Sequence, residues 1–174
     1  MSGTWREQAL IEAPVSCVWD LVGDPNRHAE WWPLVVSVEG LPEIRADATF
    51  RQVSRSPVGR GGTTFQIQAL NELREIKVRC LDTGTYARWQ LTEAQDQTFA
   101  EIAMGFEPGE ALNPGFGALG TRVFAATLGR RYLRRWIEEA LAGLRAAARE
   151  QAEREAGAAS PPDAGARQSG TAAR

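Results

Sequence analysis

His28 is the only histidine among 174 residues, so chemistry that needs an imidazole has a single candidate. Glu30 follows two positions later, and an imidazole with a nearby carboxylate can take up and release a proton. Residues two apart do not share a helix face, however, and we expect this polar segment to be exposed. No nucleophile forms a pattern with a base elsewhere in the chain. The sequence therefore assigns no catalytic residue.

Metal and phosphate sites are not indicated either. Cys17 and Cys80, the two cysteines, are far apart, and with one histidine they offer no metal-ligand spacing. The glycine-rich run 59–62 joins two predicted strands and opens no helix, unlike a phosphate-binding loop. We predict no metal and no cofactor, and we interpret both cysteines as buried, reduced thiols of a cytoplasmic protein.

The composition is that of one globular domain, with 43% hydrophobic and 24% charged residues. A net charge of −2 gives no reason to expect a nucleic acid partner. The N-terminus shows no basic-then-apolar leader, and no window reaches the roughly 18 apolar residues that cross a bilayer. We expect a cytoplasmic location and no integral membrane segment, while the oligomeric state is left open.

The longest pattern is a helix over residues 128–149, which residues 121–128 extend backward to about 30 residues. Its apolar residues recur at steps of three and four and form one stripe that another surface must cover. They are Leu133, Trp136, Ile137, Ala140, Leu141 and Leu144. The arginine-rich run 130–135 lies on the other side, with glutamates one turn later. We interpret this run as a solvated face, the alternative being contact with a ligand carboxylate or anionic lipid headgroups.

The N-terminal part combines a strand with two short helices. Residues 4–12 alternate like a strand, and Pro14 then suits the first position of a helix that ends at Gly23. Asp24 caps a second short helix. The pair Trp32-Pro33 ends it, because a residue before proline avoids the helical region.

Six further strands follow, separated mostly by short turns with glycine, asparagine or aspartate, the run 59–62 among them. The predicted strands cover 34–39, 48–53, 63–70, 74–80, 85–92 and 98–107. Connections this short make antiparallel neighbours. One sheet face is apolar and the other is wet. The apolar face carries Phe65, Ile67, Ala69, Ile76, Val78, Cys80, Ala87, Trp89, Leu91, Ala100, Ile102, Met104 and Phe106.

The N-terminal part contains four dipeptides at characteristic positions: Ala13-Pro14, Val18-Trp19, Asp24-Pro25 and Trp32-Pro33. With the order strand, two short helices, six strands and long helix, they resemble the START-like, Bet v 1-like (SRPBCC) superfamily. The generic bacterial polyketide cyclase/dehydrase branch is the most similar. The resemblance covers roughly residues 4–150 and is specific for the fold more than for a function.

The resemblance implies an α+β helix-grip fold. A seven-stranded curved antiparallel sheet would wrap around the C-terminal helix, with the two short helices between strands one and two and a cavity between sheet and helix. Family ligands are mostly apolar, such as polyketides, lipids, sterols and quinones. No catalytic residue can be carried over. We place this domain at residues 1–152 and a disordered tail at 153–174, whose composition buries too little apolar surface to fold.

Large side chains on both walls are the candidates for ligand contact, although each could instead be plain core packing. The candidates are Trp31, Trp32, Phe65, Ile67, Val78, Trp89, Ile102, Met104, Phe124, Leu128, Tyr132 and Trp136. Adjacent helical residues point about 100° apart, so we expect Trp32 inside and Trp31 nearer the cavity mouth.

Two further features could serve such a cavity. Glu7 lies on the apolar register of the first strand, where a carboxylate would have a raised pKa or pair with an arginine. The alternative is an edge position that reaches solvent. The glycine-rich connector 108–120, flanked by Phe116 and Phe124, could act as a lid or be an ordinary loop.

Two functions follow from this pattern. The favoured one is a carrier or sensor that binds a hydrophobic small molecule, such as a lipid or polyketide, between sheet and helix. The alternative is an enzyme of the polyketide cyclase/aromatase type that positions a flexible substrate and relays protons. Two or more ionisable side chains in an enclosed pocket would favour the enzyme, and an apolar pocket would favour the carrier.

Overall fold

The computed structural model describes residues 4–56, 59–107 and 129–159, and confirms the predicted helix-grip fold. Within these ranges one seven-stranded antiparallel sheet packs against a long C-terminal helix. The elements are β1 (Thr4–Ile11), α1 (Val15–Val22), a 3-10 turn (Pro25–Arg27), α2 (His28–Trp31), β2 (Val35–Glu39), β3 (Thr49–Ser56), β4 (Gly59–Asn71), β5 (Glu75–Cys80), β6 (Thr85–Ala94), β7 (Gln97–Phe106) and α3 (Gly129–Ala159).

Local chemistry sets the bounds of the short helices. Pro14 stands just before α1, which ends at Gly23. The Asp24 carboxylate accepts a hydrogen bond from the backbone N–H of Asn26 at 2.8 Å, which caps the 3-10 turn. Trp32 leaves the helical region, with ψ at 125°, because Pro33 follows it. The predicted positions of both short helices are confirmed.

The strands are arranged in the order β1-β7-β6-β5-β4-β3-β2, so β1 and β2 are the edges. Trp89 on β6 pairs with Ile76 on β5 and with Ile102 on β7, and all three side chains of this row are buried. Directly paired residues share a face, so the apolar register predicted for these strands is confirmed. A long antiparallel run of this kind presents one concave apolar wall.

Two details of β4 differ from the prediction. The glycine-rich run 59–62 is not a turn but the first part of the strand, with Gly62 opposite Val53 on β3. Backbone pairing needs no side chain, and the guanidinium of Arg51 lies over Gly62. Further along, a bulge between Ile67 and Ala69 places Ala69 opposite Lys77. Ala69 is therefore not in the inner row, where Leu70 opposite Ile76 takes its place.

Helix α3 has 31 residues and is about 46 Å long. The predicted apolar stripe is confirmed by the burial of Ile137, Ala140, Leu141 and Leu144, and the buried Ala148 extends it. On the solvated side, Arg134 and Arg135 bond Glu138 and Glu139 at 3.0 and 2.8 Å. The helix continues to Ala159, past residue 153, where the disordered tail was predicted to begin. Residues 121–128, predicted as the start of the helix, and the connector 108–120 lie outside the described residues.

A close contact holds α3 against α2. A Cβ atom on Gly143 would lie 2.2 Å from the carbonyl oxygen of Trp31, so only glycine allows this approach. The Trp31 indole donates to the carbonyl of Leu21 at 3.1 Å and thereby ties α2 to α1. Further along α3, Gln151 hydrogen-bonds Asp20 and Arg27. The C-terminal half of α3 is therefore locked to the short helices. None of the helices described is long and apolar enough to cross a membrane.

Candidate ligand-binding site

A cavity of about 150 Å³ lies between the inner face of the sheet and the N-terminal half of α3. It occupies the end of the sheet where Phe65 on β4 pairs with Cys80 on β5 and where β6 begins at Thr85. Most wall residues are apolar or aromatic. The described wall consists of His28, Trp32, Gln52, Thr63, Phe65, Val78, Cys80, Thr83, Thr85, Tyr86, Ala87, Met104 and Trp136.

Part of the predicted wall is packed core instead. Trp89 is 1% exposed and its ring lies 5.5 Å from that of Trp31, centroid to centroid. Ile67 and Ile102 have no exposed surface. Together with α1, these large side chains form a packed core between the sheet and the helices. The cavity lies beside this core, at the other end of the sheet. The candidates Trp31, Ile67, Trp89 and Ile102 are therefore not on the cavity wall.

The two adjacent tryptophans are buried to the same extent, contrary to the prediction that Trp31 lies near the mouth. Trp31 is 5% exposed and Trp32 is 6% exposed. The prediction assumed helical geometry at both residues, but α2 ends at Trp31 and Trp32 is extended. The two rings consequently turn inward together, with centroids 5.1 Å apart. Trp32 reaches the cavity wall, where its centroid lies 6.0 Å from that of Trp136.

His28 is buried in the cavity wall, and the prediction of an exposed segment is wrong here. Its ring packs against Trp31, Trp32 and Phe50, with centroid distances of 5.6, 4.9 and 6.3 Å. Burial disfavours the imidazolium and lowers the pKa of His28 to about 4. The side chain is therefore neutral near pH 7.

Glu30 does not partner His28. Its carboxylate accepts two hydrogen bonds from the guanidinium of Arg27, at 2.9 and 2.7 Å, on the outside of the helix. These bonds lower the pKa of the Glu30 carboxyl. The acid–base pair considered from the sequence is thus absent.

Gln52 on β3 sets the tautomer of His28. The Gln52 amide nitrogen donates to the Ser54 hydroxyl at 3.4 Å, and its Oε1 lies 3.2 Å from Nδ1 of His28. Since a carbonyl oxygen only accepts, Nδ1 carries the hydrogen and the lone pair of the neutral ring is on Nε2. Nε2 has no hydrogen-bond partner among the described residues. The cavity wall therefore contains a histidine whose Nε2 is a hydrogen-bond acceptor.

Glu7 lies at the rim of the grip and not in the described cavity wall. It pairs with Ile102 on the inner face of the sheet, but β1 is an edge strand. Its side chain is 41% exposed and lies 4.0 Å from the Arg134 guanidinium. Two other candidates, Phe124 and Leu128, are outside the described residues, and for Tyr132 only the backbone is described.

Several wall residues were not among the candidates. Cys80 and Ala87 lie on the inner register that is already visible in the sequence. They are not among the predicted contact residues, which are all large side chains. Gln52 and Thr63 are a cross-strand pair whose polar types concealed their inward direction. Tyr86 has its hydroxyl on the outer face, bonded to Thr4 at 2.9 Å. No group of three potential metal ligands occurs within the described parts of the chain.

The strand order, the long helix and the cavity between them together define a helix-grip protein of the Bet v 1/SRPBCC type. The chain belongs to the family described as polyketide cyclase/dehydrase and lipid transport, which matches residues 3–149. The family expected from the four dipeptides is thereby confirmed. No curated protein matches the sequence.

Solved structures of similar fold include two aromatase/cyclases. The di-domain protein StfQ of the steffimycin pathway has a TM-score of 0.64 and 20% identity, over 90% of this chain and 52% of that one. The chain thus spans about half of StfQ. The Zhui aromatase/cyclase of Streptomyces sp. R1128 has a TM-score of 0.63 and 19% identity, covering 90% and 96%. Ara h 8.0201 has a TM-score of 0.61 and 10% identity, covering 86% and 99%. Identities this low show a shared fold alone.

Proposed function

We propose that this protein binds a hydrophobic small molecule in the cavity between the sheet and α3, as a carrier or sensor. The observation that carries the proposal is the cavity of about 150 Å³, whose described wall is mainly apolar. Trp32, Phe65, Val78, Met104 and Trp136 are the predicted contact residues that lie on this wall. A few polar groups in an apolar pocket are typical of small-molecule sites.

The alternative is an enzyme of the polyketide cyclase/aromatase type, and StfQ and Zhui, which are similar in fold, are aromatase/cyclases. The described wall supports this less well. Apart from Tyr86, whose hydroxyl lies outside, its ionisable groups are the imidazole of His28 and the thiol of Cys80. The described wall holds no carboxylate and no guanidinium, so a proton relay between charged groups has little support.

Native mass spectrometry of the protein purified from its own host tests the proposal directly. A co-purifying species would give the mass of the ligand and hence its chemical class. The variant Ala87→Leu narrows the cavity from its wall and should lose that species. Ala94→Leu, at the exposed end of the same strand, is the matched control and should retain it.

Two results would count against the proposal. The first is a bound species that Ala87→Leu leaves in place, because the ligand would then lie elsewhere. The second is a protein that binds neither a host-derived species nor any apolar probe in a tryptophan-fluorescence titration. Turnover of a polyketide-type substrate that Ala87→Leu abolishes would instead establish the cyclase alternative.

A further inference from the structure

We propose that the ligand is a single-ring molecule bearing a hydroxyl or N–H group, and that this group donates a hydrogen bond to Nε2 of His28. The inference rests on the proposed function and specifies the chemical class that the cavity accepts. Three features of the described wall support it: the cavity volume, the aromatic side chains and the orientation of the imidazole.

A volume of about 150 Å³ corresponds to about one ring. Apolar cavities of this size in proteins accept molecules such as benzene, whereas a lipid chain or a polyketide needs several times that space. Trp32, Phe65 and Trp136 are large aromatic side chains with buried or half-buried rings on this wall. An aromatic ligand can pack against them in edge-to-face or offset arrangements.

His28 offers a hydrogen-bond acceptor in the cavity wall. His28 is 2% exposed, and its Nδ1–H is engaged by Gln52, which is itself 5% exposed. The other ring nitrogen is therefore held as an acceptor, and no described residue donates to it. A ligand hydroxyl or N–H would supply this nitrogen with a hydrogen bond.

The walls also exclude charged molecules. In the described wall no cationic or anionic side chain is available to compensate a ligand carboxylate or ammonium group. Transfer of an unpaired charge into such a site is strongly unfavourable. The burial that keeps His28 neutral also removes it as a partner for an anion. A neutral phenol, aromatic amine or indole-type molecule fits these conditions.

Three probes of similar size test the inference: p-cresol has a donor, benzaldehyde has only an acceptor, and p-xylene has neither. Binding is measured by tryptophan fluorescence and calorimetry. We expect p-cresol to bind about fivefold more tightly than benzaldehyde, the usual net effect of one neutral hydrogen bond. With His28 the only histidine, ¹⁵N-histidine labelling gives one imidazole spectrum. Its Nε2 resonance should move with p-cresol and stay unchanged with p-xylene.

Gln52 is a positioning residue in this scheme, and Gln52→Leu tests that role. The variant frees Nδ1, so the ring can take the other tautomer and the preference for p-cresol should fall, while p-xylene binding is retained. Gln66→Leu on the outer face of β4 is the matched control and should keep the preference. If Gln52→Leu does not fold, the ¹⁵N spectrum of the wild-type protein still shows whether Nε2 of His28 accepts a hydrogen bond from p-cresol.

The outcomes separate this inference from the proposed function. Equal binding of p-cresol and benzaldehyde, with an unmoved Nε2 resonance, overturns the inference and leaves hydrophobic binding intact. Tighter binding of benzaldehyde overturns it in favour of recognition by the buried indole N–H of Trp32, which has no partner among the described residues. If no single-ring probe binds but a larger species co-purifies, the single-ring class is wrong and the proposed function stands. Absence of both overturns the two together.

Discussion

His28 shows how a titratable side chain is accommodated inside an otherwise aromatic cluster. Rings of Trp31, Trp32 and Phe50 surround it, and Gln52 provides its one polar contact among the described residues. The buried imidazole is tolerated because it stays neutral and because its N–H is hydrogen-bonded. The cost of this arrangement appears only when the solution becomes acidic.

The first prediction concerns pH. The pKa of His28 is about 4 in the folded protein and about 6.5 in the unfolded chain. Between these values the unfolded chain binds a proton that the native protein does not, so stability falls as pH decreases. Asp24 weakly opposes the shift. We expect the free energy of unfolding to drop by about 3 kcal/mol from pH 7 to pH 4 through this residue.

Urea unfolding of the wild type and of His28→Asn between pH 7 and pH 4 measures this contribution. Asparagine can still donate to Gln52 but does not titrate. The carboxylates contribute the same slope to both proteins, so the difference between the two curves isolates His28. Parallel curves would show that the imidazole is not held neutral by burial.

The second prediction compares Trp89 and Trp136, which are both candidates for ligand contact in the sequence analysis. Trp89 is 1% exposed and fills the packed end of the grip, so Trp89→Ala should lower the free energy of unfolding by about 3–5 kcal/mol. Trp136 is half-buried in the cavity wall, so Trp136→Ala should cost less stability and weaken probe binding. Chemical denaturation and fluorescence titration measure the two effects. Similar stability losses in both variants would contradict the assignment of Trp89 to packed core and of Trp136 to the cavity wall.

At the scale of secondary structure, the contact between α2 and α3 depends on a single missing side chain. Glycine inside a helix normally lowers the stability of that helix by about 1 kcal/mol relative to alanine. A glycine at position 143 therefore calls for a structural explanation. That explanation is the carbonyl of Trp31, which lies where a Cβ atom would be. The close approach brings α2, which carries His28 and Trp31, and the adjoining Trp32 against the long helix.

The third prediction follows from that contact. Gly143→Ala should destabilise the protein by about 1–3 kcal/mol, because overpacking outweighs the gain in helix propensity. Gly157→Ala on the same helix has open space around it and should be neutral or slightly stabilising. Thermal and urea unfolding of the two variants give the comparison. A stabilised Gly143→Ala protein would mean that the helices are further apart than described.

Periodicity was sufficient to predict the elements but not their irregularities. The alternation in β5, β6 and β7 and the three-to-four spacing in α3 come from one-sided burial, which is visible in residue types alone. The glycine run 59–62 was assigned to a turn because glycine is rare in strands, yet the strand forms through backbone pairing with β3. The bulge between Ile67 and Ala69 leaves no mark in composition, and it shifts the register of everything beyond it.

The cavity was harder to predict because it depends on how elements meet. Sequence patterns indicated which side chains point inward, such as Phe65 and Met104, but not which part of the interior they fill. Trp89 shares their register and lies in packed core, since Trp31 comes across from α2 to meet it. Polar wall residues such as Gln52 belong to a network that only the folded chain creates. The side of the sheet on which a side chain lies follows from local periodicity, whereas the volume of the cavity depends on how all the elements pack together.

The last prediction tests whether the hollow exists at all. Ala87 and Ala100 lie on the inner register of neighbouring strands, with 4% and 0% exposure, but only Ala87 lines the cavity. Ala87→Leu places three extra carbons in empty space, so it should leave the free energy of unfolding unchanged or raise it. Ala100→Leu inserts the same atoms into packed core and should cost about 1–3 kcal/mol.

Urea unfolding of both leucine variants without added ligand makes the comparison. The two substitutions add the same atoms from the same inner face, so their difference reports the free space at each site. Equal destabilisation would mean that the sheet and α3 mesh at both positions. In that case the cavity could not hold a ring, and the function would have to lie on the surface of the molecule.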